Sequence, residues 1–124
     1  NLLRTNKLIE VTGVFIATST NQTTRFSIGG TYGGQQLGTT TIKTVDAGTQ
    51  THKGQFIISI LADGATNDQQ VVSVLHAAST TAETVPINDL TVDSTSAQTL
   101  TIYGAGNDSG AAFSVRNIVI KLWQ

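Results

Sequence analysis

At 124 residues the chain is expected to be a single domain spanning residues 1–124, large enough to bury a core without staples. It contains no cysteine, which excludes disulfides, thiolate metal sites and thiol nucleophiles. Seven basic residues against eight acidic ones give a formal net charge of −1 with only 12% of residues charged, so there is no basic face for a nucleic-acid backbone and no polybasic patch for a membrane surface.

The polar residues are mainly neutral: threonine is the commonest residue, accompanied by serine, asparagine, glutamine and 12 glycines. β-Branched threonine packs well on a pleated surface, and glycine and asparagine suit tight turns. The opening "NLLRTNKLIE" has neither a leader pattern nor an apolar run long enough to cross a bilayer, so no membrane insertion is expected from it. With no methionine anywhere, the chain is expected to be the carboxy-terminal piece of a longer protein.

Apolar residues recur with a period of two rather than 3.6. In chain order this predicts about eight strands, over 8–16, 25–32, 39–45, 56–61, 71–77, 87–93, 98–103 and 113–123. The separators carry turn chemistry: "TSTNQTT", "GGQQLG", "DAGTQTHKG", "ADGATNDQ" and "GAGNDSG". Only "HAASTTAETVP" has room for a helical turn, and Pro86 bars a ladder hydrogen bond where the next strand begins. The expected fold class is all-β: a jelly-roll-like antiparallel sandwich of two sheets. An immunoglobulin-like sandwich fits less well, because the Cys…Trp…Cys pattern is missing.

Several strands are apolar on both faces. Phe56, Ile58 and Ile60 share one face while Ile57 and Leu61 take the other; Val72 and Val74 likewise oppose Val71 and Leu75. Strict alternation in the last strand puts Phe113, Val115, Val119 and Trp123 on one side and Ser114, Arg116, Ile118, Ile120 and Leu122 on the other. A sandwich buries only the inner face of each sheet, so the second apolar face needs a partner, and an identical subunit is the economical one.

Motifs for chemistry are sparse. His52, read as an exposed loop residue, and His76, read as a hydrogen-bonded strand residue, stand far apart without HExxH or ligand spacing. No GxSxG elbow occurs, and "GAGNDSG" precedes a strand where a dinucleotide loop needs a helix. Asp63, Asp68 and Asp108 lie in turns and are read as turn-formers rather than calcium ligands. The acids are scattered one or two to a loop, so no glycosidase pair is indicated. Neither cofactor, metal nor catalytic residue is expected. Tyr32, Tyr103 and Trp123 are the aromatic candidates for a sugar-binding face, with Trp123 read instead as an interface or core plug. Asn21 in "NQT" and Asn107 in "NDS" match the glycosylation pattern, which is usually idle in a protein made by bacteria or phage.

Residues 90–123, "LTVDSTSAQTLTIYGAGNDSGAAFSVRNIVIKLW", resemble the closing segment of carboxy-terminal domains on bacteriophage tail spikes and tail fibres. The matching pieces are Asp93 to Thr95, Gln98 to Ile102, Gly104 to Gly110 and Val115 to Ile120, about the last third of the chain. The resemblance implies a homotrimeric β-sandwich similar to the tumour-necrosis-factor and C1q jelly rolls, in a virion appendage assembled in the bacterial cytoplasm. It implies no catalytic residue. The expected function is therefore non-enzymatic: trimerisation and attachment to a host-surface polysaccharide or glycan. The alternatives are a carbohydrate-binding module of a secreted polysaccharide-degrading enzyme and an intersubunit glycan hydrolase.

If successive strands alternate in direction, loops 17–24, 46–54, 78–86 and 104–112 share one end, while 33–38, 62–70 and 94–97 join both termini at the other. The first set holds Asn21, Gln22, His52, Lys53, Glu83, Asn107 and Asp108, whose amides, imidazole and charges suit sugar hydroxyls. The candidate ligand-binding residues are Asn21, His52, Lys53, Glu83, Asn107 and Asp108.

Overall fold

The computed structural model describes residues 7–62, 64–65, 67–84 and 87–123. Among them are ten strands and no helix: β1 (Leu8–Ser19), β2 (Arg25–Tyr32), β3 (Gln35–Gln36), β4 (Thr40–Thr44), β5 (Gln50–Ala62), β6 (Gln69–Ala77), β7 (Thr80–Thr84), β8 (Ile87–Leu90), β9 (Leu100–Gly106) and β10 (Ala112–Trp123). They form two antiparallel sheets. Sheet I has the order β10-β1-β5-β6-β8. In sheet II, β2 pairs with β9 along one edge and with β4 and the short β3 along the other, and β7 pairs with β4.

Alternation builds the core. In β1 the residues Ile9, Val11, Phe15 and Ala17 point inward, in β5 Phe56, Ile58 and Ile60, and in β6 Val71 and Leu75, all nearly inaccessible. Sheet II meets them with Phe26, Ile28, Tyr32 and Ile42. Leu100, Ile102 and Phe113 close one side as half-buried packing partners. Tyr32 is thus a core residue, which removes it from the sugar-facing candidates. One buried polar bridge ties the layers together: the Thr40 hydroxyl of β4 donates to the Ser73 carbonyl of β6 at 2.9 Å.

Three expectations are corrected. The 46–55 region is not mainly loop, since β5 starts at Gln50 and pairs with β1 as far as Ser19. Its inward positions are His52 and Gly54 rather than aliphatic residues, so the apolar signal vanished there. Gly54 is required because the Phe15 ring lies where its Cβ would stand, 2.5 Å from the nearest ring carbon. Second, the stretch read as holding a helical turn contains β7, whose sequence "TTAET" offers no large apolar residue to reveal it.

Third, β10 changes faces midway. Asn117 adopts φ 51°, and the β1–β10 register skips between Thr12 and Val14, a bulge that puts an extra residue into β10. Phe113 and Val115 face inward, opposite Ala17 and Phe15. Beyond the bulge the inward residues are Ile120 and Leu122, opposite Val11 and Ile9, and the outward ones are Val119 and Trp123. Val119 and Trp123 therefore do not share a face with Phe113 and Val115. Ile120 nevertheless stays 63% exposed and Ile118 51%, at an edge of the sheet left open among the described residues.

The pairing sorts the loops as the alternation rule expects. Turns 20–24, 45–49, 78–79 and 107–111 lie at the upper end, where Ser19 meets Gln50 and Thr44 meets Thr80. The lower end holds 33–34, 64–65, 67–68 and 91–99 and brings Leu8 beside Trp123.

Candidate functional site

The upper end is laced together by short side chains. Asn21 Oδ1 accepts from the Thr23 backbone N–H at 2.7 Å, an Asx turn that reverses the chain between β1 and β2. Asp108 Oδ2 accepts from the Thr24 hydroxyl at 2.6 Å and from the Thr20 hydroxyl at 2.9 Å, fastening the β9–β10 turn onto the β1–β2 turn. Those bonds, that from Thr24 foremost, hold the Asp108 carboxyl below its ordinary value. Asn107 Oδ1 accepts from the Arg25 N–H at 2.8 Å, extending the β2–β9 ladder by one side-chain rung.

Arg25 makes a forked pair with Glu83, Nε to Oε2 at 2.6 Å and Nη2 to Oε1 at 3.2 Å, across the outer face of sheet II. The hydrogen bond from Arg25 lowers the Glu83 carboxyl. Being exposed and salt-screened, the pair adds orientation more than stability.

His52 is placed otherwise than expected: it is 3% exposed, in β5. Its Nδ1 lies 3.3 Å from the Ala78 carbonyl, which can only accept, and its Nε2 lies 3.0 Å from the Ser19 hydroxyl, which also reaches the Gln50 carbonyl at 3.4 Å. The ring also packs against Phe26. The Ser19–His52 spacing matches that of a nucleophile and its base, but Ser19 is wholly buried and the third partner is a carbonyl. The trio pins the upper ends of β1, β5 and β6.

Lys53 points the opposite way, onto the outer face of sheet I. Of the six expected residues the structure thus joins Asn21, Asn107 and Asp108 at the upper end with Glu83 beside them, and separates His52 and Lys53. Asp68 is exposed at the lower end, and Asp63 lies outside the described residues. Among the described residues no cluster of histidine or acidic side chains could hold a metal ion.

One surface went unread in the sequence and another was read only in part. At the upper end a depression of about 310 Å³ is lined by Gln22, Thr23, Lys43, Thr44, Val45 and Thr81. No motif marks it, because it is assembled from three separate strand ends. The second is the outer face of sheet I, where residues paired across strands share the face. Its lower half presents Ile57 beside Val74, Leu61 beside Leu8, and Leu8 beside Trp123. Val72, Val119 and Ile87 continue it, and all of these except Leu8 are more than a third exposed. Glu10 and Lys121 face each other within it. Alternation along β5 and β6 reveals their outer faces, but not the join with β10, which depends on the bulge.

The fold is thus a two-sheet antiparallel β arrangement around one core, with a stitched loop end and an uncovered apolar sheet face. Comparison with known proteins returns no matching family model, no matching curated protein and no matching solved structure.

Proposed function

We propose that this chain is a non-enzymatic, homotrimeric attachment domain with jelly-roll character, carried on a bacteriophage tail spike or fibre and binding a glycan of the host surface. The observation that carries the reading is the apolar lower half of the outer face of sheet I. An apolar patch of this kind, crossed by the facing pair Glu10 and Lys121 and edged by Asp89 on β8, is the kind of surface a permanent subunit contact buries. The occupant is further copies of the chain. A face-to-face pair would cover Ile57 and Val74 yet leave Ile118 and Ile120 beyond the sheet edge in water. A neighbour seated against the β10 edge would cover both sets, and such a head-to-tail contact gives a ring of three where its rotation is 120°. The placement of the loops supports the attachment half: the stitched end points away from the end where β1 begins, which would join the appendage shaft.

Sedimentation velocity tests the reading. The chain is expected to run as a trimer, and Ile57→Glu with Val74→Glu, both on an exposed face, should yield a folded monomer, because an unpaired charge buried in an interface costs several kcal/mol, about 3–5. A wild-type monomer would overturn the trimer and leave a monomeric carbohydrate-binding module of a secreted enzyme as the better reading.

A further inference from the structure

The upper half of the outer face of sheet I differs in chemistry from the lower half. Cross-strand pairing sets His76, Gln55, Val14 and Arg116 in one row, with Lys53 in the next row above. Neighbouring strands lie about 4.8 Å apart, so the row runs roughly 14 Å from imidazole to guanidinium. Along it are two depressions sharing Val14 and Gln55. One, of about 340 Å³, is bordered by Lys53 and His76. The other, of about 210 Å³, is bordered by Thr12 and by Asn117 at the bulge. Bulges re-aim side chains, and here the left-handed residue of β10 is the one that borders the depression.

The charge on this half is one-sided. Lys53 and Arg116 are exposed and neither makes an ion pair among the described residues, where the one salt bridge is Arg25 with Glu83. No carboxylate shares the face at this level: the nearest in register is Glu10, two rows below and opposite Lys121. Two fixed cations with an imidazole attract an anion, but they are too few for a nucleic-acid backbone. Between them stand amides and a hydroxyl, Gln55, Asn117 and Thr12, able both to donate and to accept. A chain carrying isolated negative charges among many hydroxyls matches that alternation.

We infer that this groove binds a carboxylated polysaccharide, with Lys53 and Arg116 receiving acidic groups and Gln55, Asn117 and His76 the intervening hydroxyls. The inference rests on the glycan-attachment reading and moves the binding surface from the loop end to the sheet. The groove borders the apolar half directly, so in the assembled protein it lies at the rim of the subunit contact, and three copies act together.

The test measures binding of the full chain to an array of uronate, sialate and neutral oligosaccharides, with polyglutamate as an acidic-peptide control. The expected result is binding to carboxylated chains, weakened at least about tenfold by Lys53→Glu with Arg116→Glu and by raised salt. Gln55→Ala should weaken it at unchanged salt dependence, and sedimentation of each variant should be that of the wild type. Carboxylated-chain binding that survives the double reversal but is lost in Gln22→Ala with Lys43→Ala would overturn the groove and keep the attachment reading. Binding of neutral chains alone would do the same. Tighter binding of polyglutamate would replace the sugar by an acidic peptide, and no binding to any saccharide would end both readings.

Discussion

Gln69 is fully buried, and it does by itself what a strand does elsewhere. Its Oε1 accepts from the Val92 N–H at 3.1 Å and its Nε2 donates to the Val92 carbonyl at 2.9 Å, so a side chain supplies a peptide unit with both ladder bonds. Replacing it by leucine strands two buried backbone groups, each worth about 1–3 kcal/mol, and should lower unfolding stability by about 3 kcal/mol in urea titration. Asp108 works by charge instead. Its carboxyl is held below the usual value by Thr24 and Thr20, so its share of stability is complete above the unfolded carboxylate value and is lost as pH falls through the lowered folded one. Asp108→Asn should therefore flatten the acid limb of the stability profile, read by thermal melts from neutral pH downward. An unchanged acid limb would show that these bonds contribute nothing to folding. At this scale the sequence was legible where one residue type has one habit, as with Asn21 in its turn. It misled at His52, because nothing local distinguishes a loop histidine from one whose two nitrogens find Ser19 and Ala78 far along the chain.

Among the elements, β10 decides the character of the molecule. Period-two reading placed its apolar residues on two faces, and that much holds. What it could not supply was the phase change at Asn117, since an extra residue in one strand is visible only against its partner. Asparagine tolerates the left-handed conformation better than other non-glycine residues. Asn117→Val should thus cost on the order of 1–2 kcal/mol, whereas Asn117→Gly should be nearly neutral, a contrast that thermal melts resolve. Deleting Asn117 is a sharper test of register: without the extra residue β10 would alternate continuously, Val119 staying opposite Thr12 and Ile120 opposite Val11, so the variant should fold with the same faces, which thermal melts check. The other missed elements, β3 and β7, share a cause. They are short and carry polar residues along sheet margins, so their pairing rests on the backbone and leaves no hydrophobic trace.

For the molecule as a whole, strand alternation sufficed to sort the loops between two ends, because every described pairing is antiparallel. The surfaces were harder, since both the upper depression and the groove on sheet I are made from strands distant in sequence. One arrangement has a mechanical consequence. β1 begins at the lower end and runs the full height of sheet I between β10 and β5, bonded to both. A pull transmitted along β1 from below, against an anchor held higher on the sheet, loads two ladders lengthwise, so many bonds share the force at once. Pulling β1 and β10 apart at Leu8 and Trp123 instead opens their common ladder from its end, one rung after another. In single-molecule stretching the domain should yield at markedly lower force when gripped at residues 8 and 123 than when gripped at residues 8 and 53. A load applied along β1 would meet the stronger of these two directions, which the proposed attachment role would call on.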